Sequence, residues 1–205
     1  MKNTLVAILF SCLIVSTCFA QAGKPEIKVK DIKAELALAP RYSMEGKNIS
    51  SDQSKKWLVV EATLETEPDW ADEITLKFHV VANYGAGAKN APQDGFDILS
   101  TAVTVVNVPK GRKSLVPVFL DANTVKKYSP AGVHEFVPQV AVQVYYKGRL
   151  QDTYWMTGVQ KGVQFWENKP SRSGILLNLM QSPWSPAYVD YYEQVKPSAP
   201  APAGY

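Results

Sequence analysis

The chain contains only two cysteines, Cys12 and Cys18, and both lie close to its N-terminus. The surrounding stretch has the pattern of a cleavable export signal: Lys2 supplies a positive charge, residues 5–15 are apolar, and small side chains of the kind that a signal peptidase recognises follow. Removal of residues 1–22 would take both cysteines away. The mature protein is therefore predicted to contain no disulfide bond, no thiol nucleophile and no cysteine-ligated metal.

Long apolar runs are also lacking, because no stretch after Gly23 approaches the roughly 20 residues that a transmembrane helix needs. The sequence thus predicts an exported protein of the periplasm, the outer-membrane surface or the extracellular space, with no membrane span after signal cleavage. Lipidation is the alternative, since residues 15–18 approach the pattern of a lipid-modified cysteine at Cys18. Thr17 is larger than the residue usual at its place in that pattern, so plain secretion is favoured.

Histidine is equally scarce, and the two present, His79 and His134, offer little to catalysis. His79 lies on the outward side of a strand pattern, which favours a solvated residue over a catalytic base, and His134 lies in a predicted loop. The sequence also has no Gly-x-Ser-x-Gly elbow, His-Glu-x-x-His motif, Walker loop or glycine-rich dinucleotide turn. We predict that the protein is not an enzyme and uses no cofactor. A glycosidase acting through two carboxylates stays open as an alternative, because it requires neither histidine nor cysteine.

The chain has no large excess of either charge, since its net charge is only +3, and nucleic acid is therefore not expected as a partner. Acidic residues do gather around one strand end and the turn that follows it. They are Glu61, Glu65, Glu67, Asp69, Asp72 and Glu73. Their spacing matches no EF-hand loop, so a solvated acidic strand edge is favoured over a calcium site, and no metal is predicted.

Alternation of apolar and polar residues with period two is the dominant pattern that the sequence does have, and it is typical of half-buried strands. The runs that show it are residues 27–37, 58–65, 74–83, 98–108, 114–120, 136–146 and 150–156. Seven or more short strands with almost no helix between them predict an all-β protein, an immunoglobulin-like antiparallel β-sandwich with one or two short peripheral helices. A jelly roll and a small barrel use the same alternation and stay open as alternatives.

The turns and helix signals refine this prediction. Residues 109–112 and the pair Lys147-Gly148 have turn chemistry and are both predicted to form antiparallel hairpins. Pro117 and Pro138 lie inside strand-like runs, which predicts edge strands or bulges at those places. Short helices are predicted at residues 124–128, capped by Asp121 or Asn123, and at residues 186–195.

The chain is predicted to contain one folded domain. It spans residues 23–195, between the signal peptide at residues 1–22 and a flexible Pro/Ala-rich tail at residues 196–205. About 180 residues suffice for one well-buried domain and are few for two.

Aromatic residues concentrate in the C-terminal third of the chain. Tyr145-Tyr146 and Tyr154-Trp155 are adjacent pairs, so alternation turns one member of each pair outward unless a bulge or another segment covers it. Outward rings can stack on a sugar or anchor a protein partner. The candidate binding residues are Tyr145, Trp155, Trp166, Trp184, Tyr188 and Tyr192. Packing over a sheet face, with Trp184, Tyr188 and Tyr192 as the cover, is favoured over ligand binding.

Two segments resemble a family of exported verrucomicrobial "pilus-like" proteins: Lys-Trp-Leu-Val-Val-Glu at residues 56–61 and Ser-Pro-Trp-Ser-Pro-Ala-Tyr-Val-Asp-Tyr-Tyr-Glu at residues 182–193. The resemblance covers most of the mature chain. It implies a single immunoglobulin-like domain, exported to the periplasm or cell surface and grouped with pilus-associated or host-interacting proteins, and it supplies no catalytic residues. Type IV pilins keep their N-terminal apolar helix, whereas here that segment is predicted to be cleaved, which favours an accessory, adhesive or soluble role.

These observations together predict a non-enzymatic pilus-like cell-surface interaction protein, accessory to pilus or envelope assembly or to host contact. Its expected partner is a protein of the envelope, the pilus or a host surface, a glycan is the second candidate, and the protein itself is predicted to be a monomer. The alternative function is a carbohydrate-binding module, which requires Tyr145 and Trp155 to lie open on a flat face.

Overall fold

A computed structural model describes residues 25–40, 42–44, 47–49, 56–84, 91–111, 113–129, 136, 138–167, 169–186 and 191–197. The elements in chain order are β1 (Ile27–Leu38), β2 (Tyr42–Met44), β3 (Lys47–Ile49), β4 (Lys56–Thr66), β5 (Trp70–Asn83), β6 (Phe96–Pro109), β7 (Ser114–Leu120), α1 (Ala122–Tyr128), β8 (Gln139–Tyr146), β9 (Arg149–Trp155) and β10 (Leu177–Asn178), with short 3-10 turns at Phe165–Glu167 and Leu179–Gln181. The predicted signal peptide with both cysteines, His134, Tyr188 and most of the predicted tail lie outside the described residues.

The strands form two four-stranded sheets and a separate small hairpin. The first sheet has the order β1-β4-β7-β10 and the second has the order β6-β5-β8-β9, while β2 pairs with β3. All neighbouring strands in the two sheets are antiparallel. Among the seven long strands, the first, second and fifth share one sheet and the others form the second, so that two antiparallel sheets pack face to face as they do in immunoglobulin-like sandwiches. The predicted all-β, immunoglobulin-like fold is therefore confirmed.

The core lies between the two sheets and consists largely of the alternate residues that the period-two pattern identifies. Leu58 and Val60 of β4 are buried, and so are Leu76, Phe78 and Val80 of β5. Burying such a side chain contributes about 1.5–3 kcal/mol. The core also sets the strand register, because a slip by one residue would turn the whole apolar set towards solvent.

Of the two predicted hairpins, one is confirmed and the other is wrong. Lys147 and Gly148 have φ angles of 51° and 73° and join β8 to β9 in the predicted hairpin. Strands β6 and β7 lie in different sheets, so the hairpin predicted at residues 109–112 is wrong; Arg112 itself lies outside the described residues. Turn residues encode a local reversal of the chain and not the sheet that the next strand joins. Pro138 also differs from its prediction, because it lies just before β8 and not inside a strand. Pro117 does lie inside a strand, β7, whose neighbour on one side is only the two-residue strand β10.

Of the two helix predictions, one is confirmed and the other is wrong. Helix α1 confirms the first, and Asp121 caps it by accepting hydrogen bonds from the backbone N–H groups of Asn123 at 2.9 Å and Thr124 at 3.2 Å. The second, at residues 186–195, is wrong for the part that the structure describes. There Val195 forms an antiparallel bridge with Val105 of β6, so the backbone hydrogen-bonds to a strand and not to itself.

The C-terminal segment, residues 170–197, closes one side of the sandwich with its described parts, residues 170–186 and 191–197. Its Arg172 N–H donates to Ile98 O of β6 at 2.7 Å, and its Glu193 N–H donates to Leu115 O of β7 at 3.1 Å. Lys196 N–H then returns to β6 and donates to Thr104 O at 2.8 Å. The segment therefore links the adjacent edges of the two sheets.

The same segment covers the outer face of the first sheet. The Trp184 ring is stacked on Phe119 of β7 with centroids 4.9 Å apart, and it meets the Trp57 ring of β4 edge-on at 5.8 Å. Tyr192 OH donates to Glu61 Oε1 at 2.5 Å. The solvated acidic face predicted around Glu61 is wrong there, because residues distant in sequence pack over it and bury Val59 as well.

A buried carboxylate holds the beginning of the C-terminal segment. Asp97 of β6 is only 3% exposed, and its Oδ2 accepts hydrogen bonds from Tyr84 OH at 2.7 Å and from Tyr128 OH at 2.8 Å. Its Oδ1 lies 3.2 Å from Arg172 Nε. Burial, followed by the hydrogen bond to Asp97 and its negative charge, raises the pKa of Tyr128 far above its ordinary value. Asp97 thereby ties β6, α1 and the C-terminal segment together.

Candidate functional site: the outer face of the second sheet

The outer face of the second sheet carries side chains in three rows that run across its four strands. The first row is Thr104, Thr75, Tyr145 and Leu150; the second is Ala102, Lys77, Gln143 and Thr153; the third is Ser100, His79, Ala141 and Trp155. Residues directly opposite one another on antiparallel strands share a face. The register therefore places two of the predicted site residues, Tyr145 and Trp155, on one surface.

The third row is covered by the turn that follows β9. The Trp166 ring stacks on His79 with centroids 4.5 Å apart and an interplanar angle of 13°, and it lies 6.5 Å from the Trp155 ring. Trp155 Nε1–H donates to Val163 O of the same turn at 3.1 Å. His79 is consequently only 8% exposed, and the solvated position predicted for it is wrong. Local alternation could not reveal this cover, because Trp166 lies far along the chain.

His79 is held in its neutral form by its surroundings. Its Nδ1 lies 2.9 Å from Ser100 Oγ and its Nε2 lies 3.2 Å from Gln143 Oε1. Because an amide oxygen only accepts, Nε2–H donates to Gln143 and the Ser100 hydroxyl donates to Nδ1. Burial lowers the pKa of His79 below its ordinary value, the charge of Lys77 lowers it further, and the Gln143 hydrogen bond opposes both.

The His79 environment leads to a pH-dependent stability. Since the pKa of His79 is lower in the folded than in the unfolded chain, the unfolded chain binds the proton first as the pH falls. The contribution of His79 to stability is therefore present above about pH 6.5 and is lost as the pH falls through the folded-state pKa. We expect a His79→Gln variant to lose less stability than the parent between about pH 7.5 and pH 5.5 in denaturant unfolding. Equal losses in the two proteins would contradict this expectation.

The first and second rows are open to solvent in part. Lys77 is exposed and is the single charged residue among their eight members. Its Nζ lies 4.7 Å from the centroid of the half-buried Tyr145 ring, a cation–π contact. Thr75 Oγ1 and Thr104 Oγ1 are 2.9 Å apart. The open surface is thus mostly neutral, with hydroxyl and amide groups around one aromatic ring.

A shallow depression of about 250 Å³ adjoins the first row. It is lined by Asp72, Glu73, Thr75, Tyr145, Tyr146, Lys147 and Gly148. Lys147 Nζ lies 4.5 Å from the Tyr146 ring centroid, and Lys196 Nζ pairs with Glu73 Oε1. Within the described residues no group of three or more His, Cys, Asp or Glu side chains is placed to hold a metal ion.

The six candidate residues do not form one site. Alternation places Tyr145 and Trp155 on the outer face, as the adjacent-pair argument predicts, while Tyr146 is buried and Tyr154 packs against the core. Trp184 and Tyr192 are buried over the first sheet. Trp166 covers the third row, and Tyr188 lies outside the described residues. The cover of the second sheet is therefore Trp166, a residue for which the sequence pattern indicates no such role.

Comparison with known proteins agrees with this fold. A protein-family model matches residues 19–199, and a search of curated proteins finds no match. A crystal structure of a protein from Akkermansia muciniphila has a similar fold, with a TM-score of 0.68 and 21% sequence identity over 85% of this chain and 94% of that chain. The chain belongs to the matched family, the pilus-like protein family that its sequence resembles.

Membership of a pilus-like family suggests an exported protein. Among the helices in the described part of the chain, none is both long and apolar enough to cross a membrane.

Proposed function

We propose that the protein is a non-enzymatic, exported interaction protein of the periplasm or cell surface, which serves pilus or envelope assembly or host contact by binding a protein partner. The observation that carries this proposal is the difference between the two outer faces. Aromatic residues of the C-terminal segment cover the outer face of the first sheet at β4 and β7, whereas the first and second rows of the second sheet stay partly exposed around Tyr145. Aromatic residues framed by neutral polar groups are typical anchors of protein interfaces.

The rings of this face favour a protein over a glycan as partner. A carbohydrate-binding module needs a flat aromatic face that is open to a sugar ring. The Tyr145 ring has Lys77 Nζ at 4.7 Å, and the Trp155 ring has Trp166 at 6.5 Å. A protein surface can pack around these groups and use the exposed lysine as well, because interface cores combine aromatic contacts with polar ones.

Site-specific photo-crosslinking in cells of the organism of origin tests this proposal. A photoreactive phenylalanine analogue at Thr153 probes the open face, and the same analogue at the exposed Lys126 of α1 is the matched control. We expect one discrete protein adduct from position 153 and none from position 126. Adducts of equal yield at both positions, or none at 153, would contradict the proposal, and an adduct that carries sugar fragments would favour the glycan.

Truncation of the central ring should weaken this contact. We expect Tyr145→Ala to lower the yield of the adduct at position 153 about tenfold, because truncating an aromatic anchor in an interface commonly costs more than 1 kcal/mol. Lys126→Ala, the matched surface change on α1, should leave the yield unchanged. An undiminished yield with Tyr145→Ala would remove this ring from the binding surface.

A further inference from the structure

Among the described residues, strand β1 presents a free edge at one side of the first sheet. It is the outermost strand on that side and pairs with β4 along its length. Near its beginning, side chains of β9 accept hydrogen bonds from two backbone N–H groups: Glu26 N–H donates to Gln151 Oε1 and Val29 N–H donates to Asp152 Oδ2, both at 3.0 Å. Beyond the bulge that follows Val29, residues 31–38 make no backbone hydrogen bond to any described element other than β4. Such an edge is a template for another strand.

The edges at the opposite side of the two sheets differ from the edge of β1, because they are covered or short. The edge of β6 is bonded by Arg172 near one end and by Gln194 and Lys196 near the other, and the first sheet ends there with the two-residue strand β10. Natural proteins commonly protect exposed edges by covering or shortening them. The free stretch of β1 is neither covered by a described strand nor short.

The side chains of this edge alternate in charge. Asp31, Lys33, Glu35 and Ala37 point to the outer face of the sheet, because they pair with Thr63, Glu61, Val59 and Trp57 of β4. Lys33 and Glu35 are exposed. On the inner side Leu36 is only partly buried, and Leu38 is 48% exposed. The edge therefore combines two opposite charges with apolar residues that the fold leaves incompletely covered.

We propose that β1 is a dimerisation edge, on which a second copy of this chain docks antiparallel with Ala34 opposite its counterpart. In this register Lys33 of each copy faces Glu35 of the other on the outer side, and Ile32 faces Leu36 on the inner side. Opposite charges across antiparallel strands are stabilising, whereas like charges are destabilising. The interface is isologous, as in most dimers with twofold symmetry.

The charges select this register over its neighbours. A slip by one residue would bring the outer face of one copy against the inner face of the other. A shift of two residues in one direction places Lys33 opposite Lys33, and in the other direction it places Glu35 opposite Glu35. The free edge is therefore complementary to itself in the proposed register, and the inference is independent of the partner proposed for the second sheet. The dimer departs from the monomer that the sequence predicts.

Charge reversal with rescue tests the proposal. We expect light scattering coupled to chromatography to show the purified mature protein as a concentration-dependent dimer. Glu35→Lys should raise its dissociation constant about tenfold or more, because each copy then places Lys33 against a lysine. Lys33→Glu should act in the same way. The double variant Lys33→Glu/Glu35→Lys should restore the dimer, and Lys126→Glu on α1 should not alter it.

A cysteine trap tests the register itself. Ala34→Cys should form an intermolecular disulfide on mild oxidation, whereas Ala37→Cys should not, because position 37 faces Asp31 of the other copy. A monomer at every concentration up to about 1 mM, the weak end of specific association, would overturn the proposal. A dimer that the single reversals leave intact, or that the double variant fails to restore, would overturn it too, as would equal crosslinking at positions 34 and 37.

Discussion

Replacement of Trp184 by alanine should lower the free energy of unfolding by about 3–5 kcal/mol, as is usual for truncation of a buried aromatic residue. Trp184 is only 5% exposed, and its ring lies between Phe119 at 4.9 Å and Trp57 at 5.8 Å. The truncation would leave a cavity over the first sheet. For a domain of this size we expect the melting temperature to fall by roughly 10 °C, measured by thermal unfolding and checked by denaturant titration.

Trp70 offers a matched control for this change, because it is 64% exposed at the start of β5. Trp70→Ala should cost less than about 1 kcal/mol. Deletion of all residues after Ser182 should cost at least as much as Trp184→Ala, since it also removes the buried Tyr192 and Val195. If Trp184→Ala and Trp70→Ala lowered stability equally, the C-terminal segment would not be the cover that its contacts indicate.

Replacement of Asp97 by alanine should lower the free energy of unfolding by about 1–3 kcal/mol, because the hydroxyl of the buried Tyr128 would be left without its acceptor. The Tyr128 hydroxyl would lose its acceptor at 2.8 Å, and Arg172 would lose a carboxylate at 3.2 Å. Denaturant unfolding measures this loss. Asp97→Asn should fall between the parent and the alanine variant, since an amide keeps one acceptor oxygen but not the charge.

The control for Asp97 is Asp69, whose side chain is 93% exposed and lies 3.9 Å from Lys110 Nζ. Asp69→Ala should change stability by no more than about 0.5 kcal/mol, because exposed ion pairs contribute little. A small effect of Asp97→Ala would mean that the beginning of the C-terminal segment is held by its backbone bonds to β6 alone.

Trp184 and Asp97 both anchor the C-terminal segment, and this bears on function. Trp184 and Tyr192 cover the part of the outer face of the first sheet that β4 and β7 form, so that part is not available to a partner while the segment is in place. The first and second rows of the second sheet have no comparable cover among the described residues. The buried aromatic contacts and the proposed partner-binding surface thus lie on opposite faces of one sandwich, so variants of Trp184 and Tyr145 should affect stability and the proposed binding separately.

Much of the fold could be predicted because strand formation is local. The run at residues 114–120 coincides with β7, and the run at residues 27–37 with all but the last residue of β1. A period of two in burial is imposed by the pleat itself and is therefore legible in the sequence. The strand β10 could not be found in this way, since two residues are too few to show any period.

The candidate site could be predicted only in part. Alternation alone puts Tyr145 and Trp155 on the outward side of their strands, and it identifies His79 as outward too. The stacking of Trp166 on His79 at 4.5 Å and the burial of Trp184 on Phe119 are contacts between residues remote in sequence. No periodicity carries that information, because such contacts depend on where a loop returns after the sheets have packed.

The sequence by itself determined the long strands and the side of each that enters the core, because the pleat depends on residues close together in the chain. Only the tertiary structure decided that the chain after β6 crosses to the other sheet, that the C-terminal segment covers part of the first sheet and not the second, and that no described strand covers the edge of β1. Those features follow from which surfaces compete for burial once both sheets exist, and that competition involves the whole chain at once.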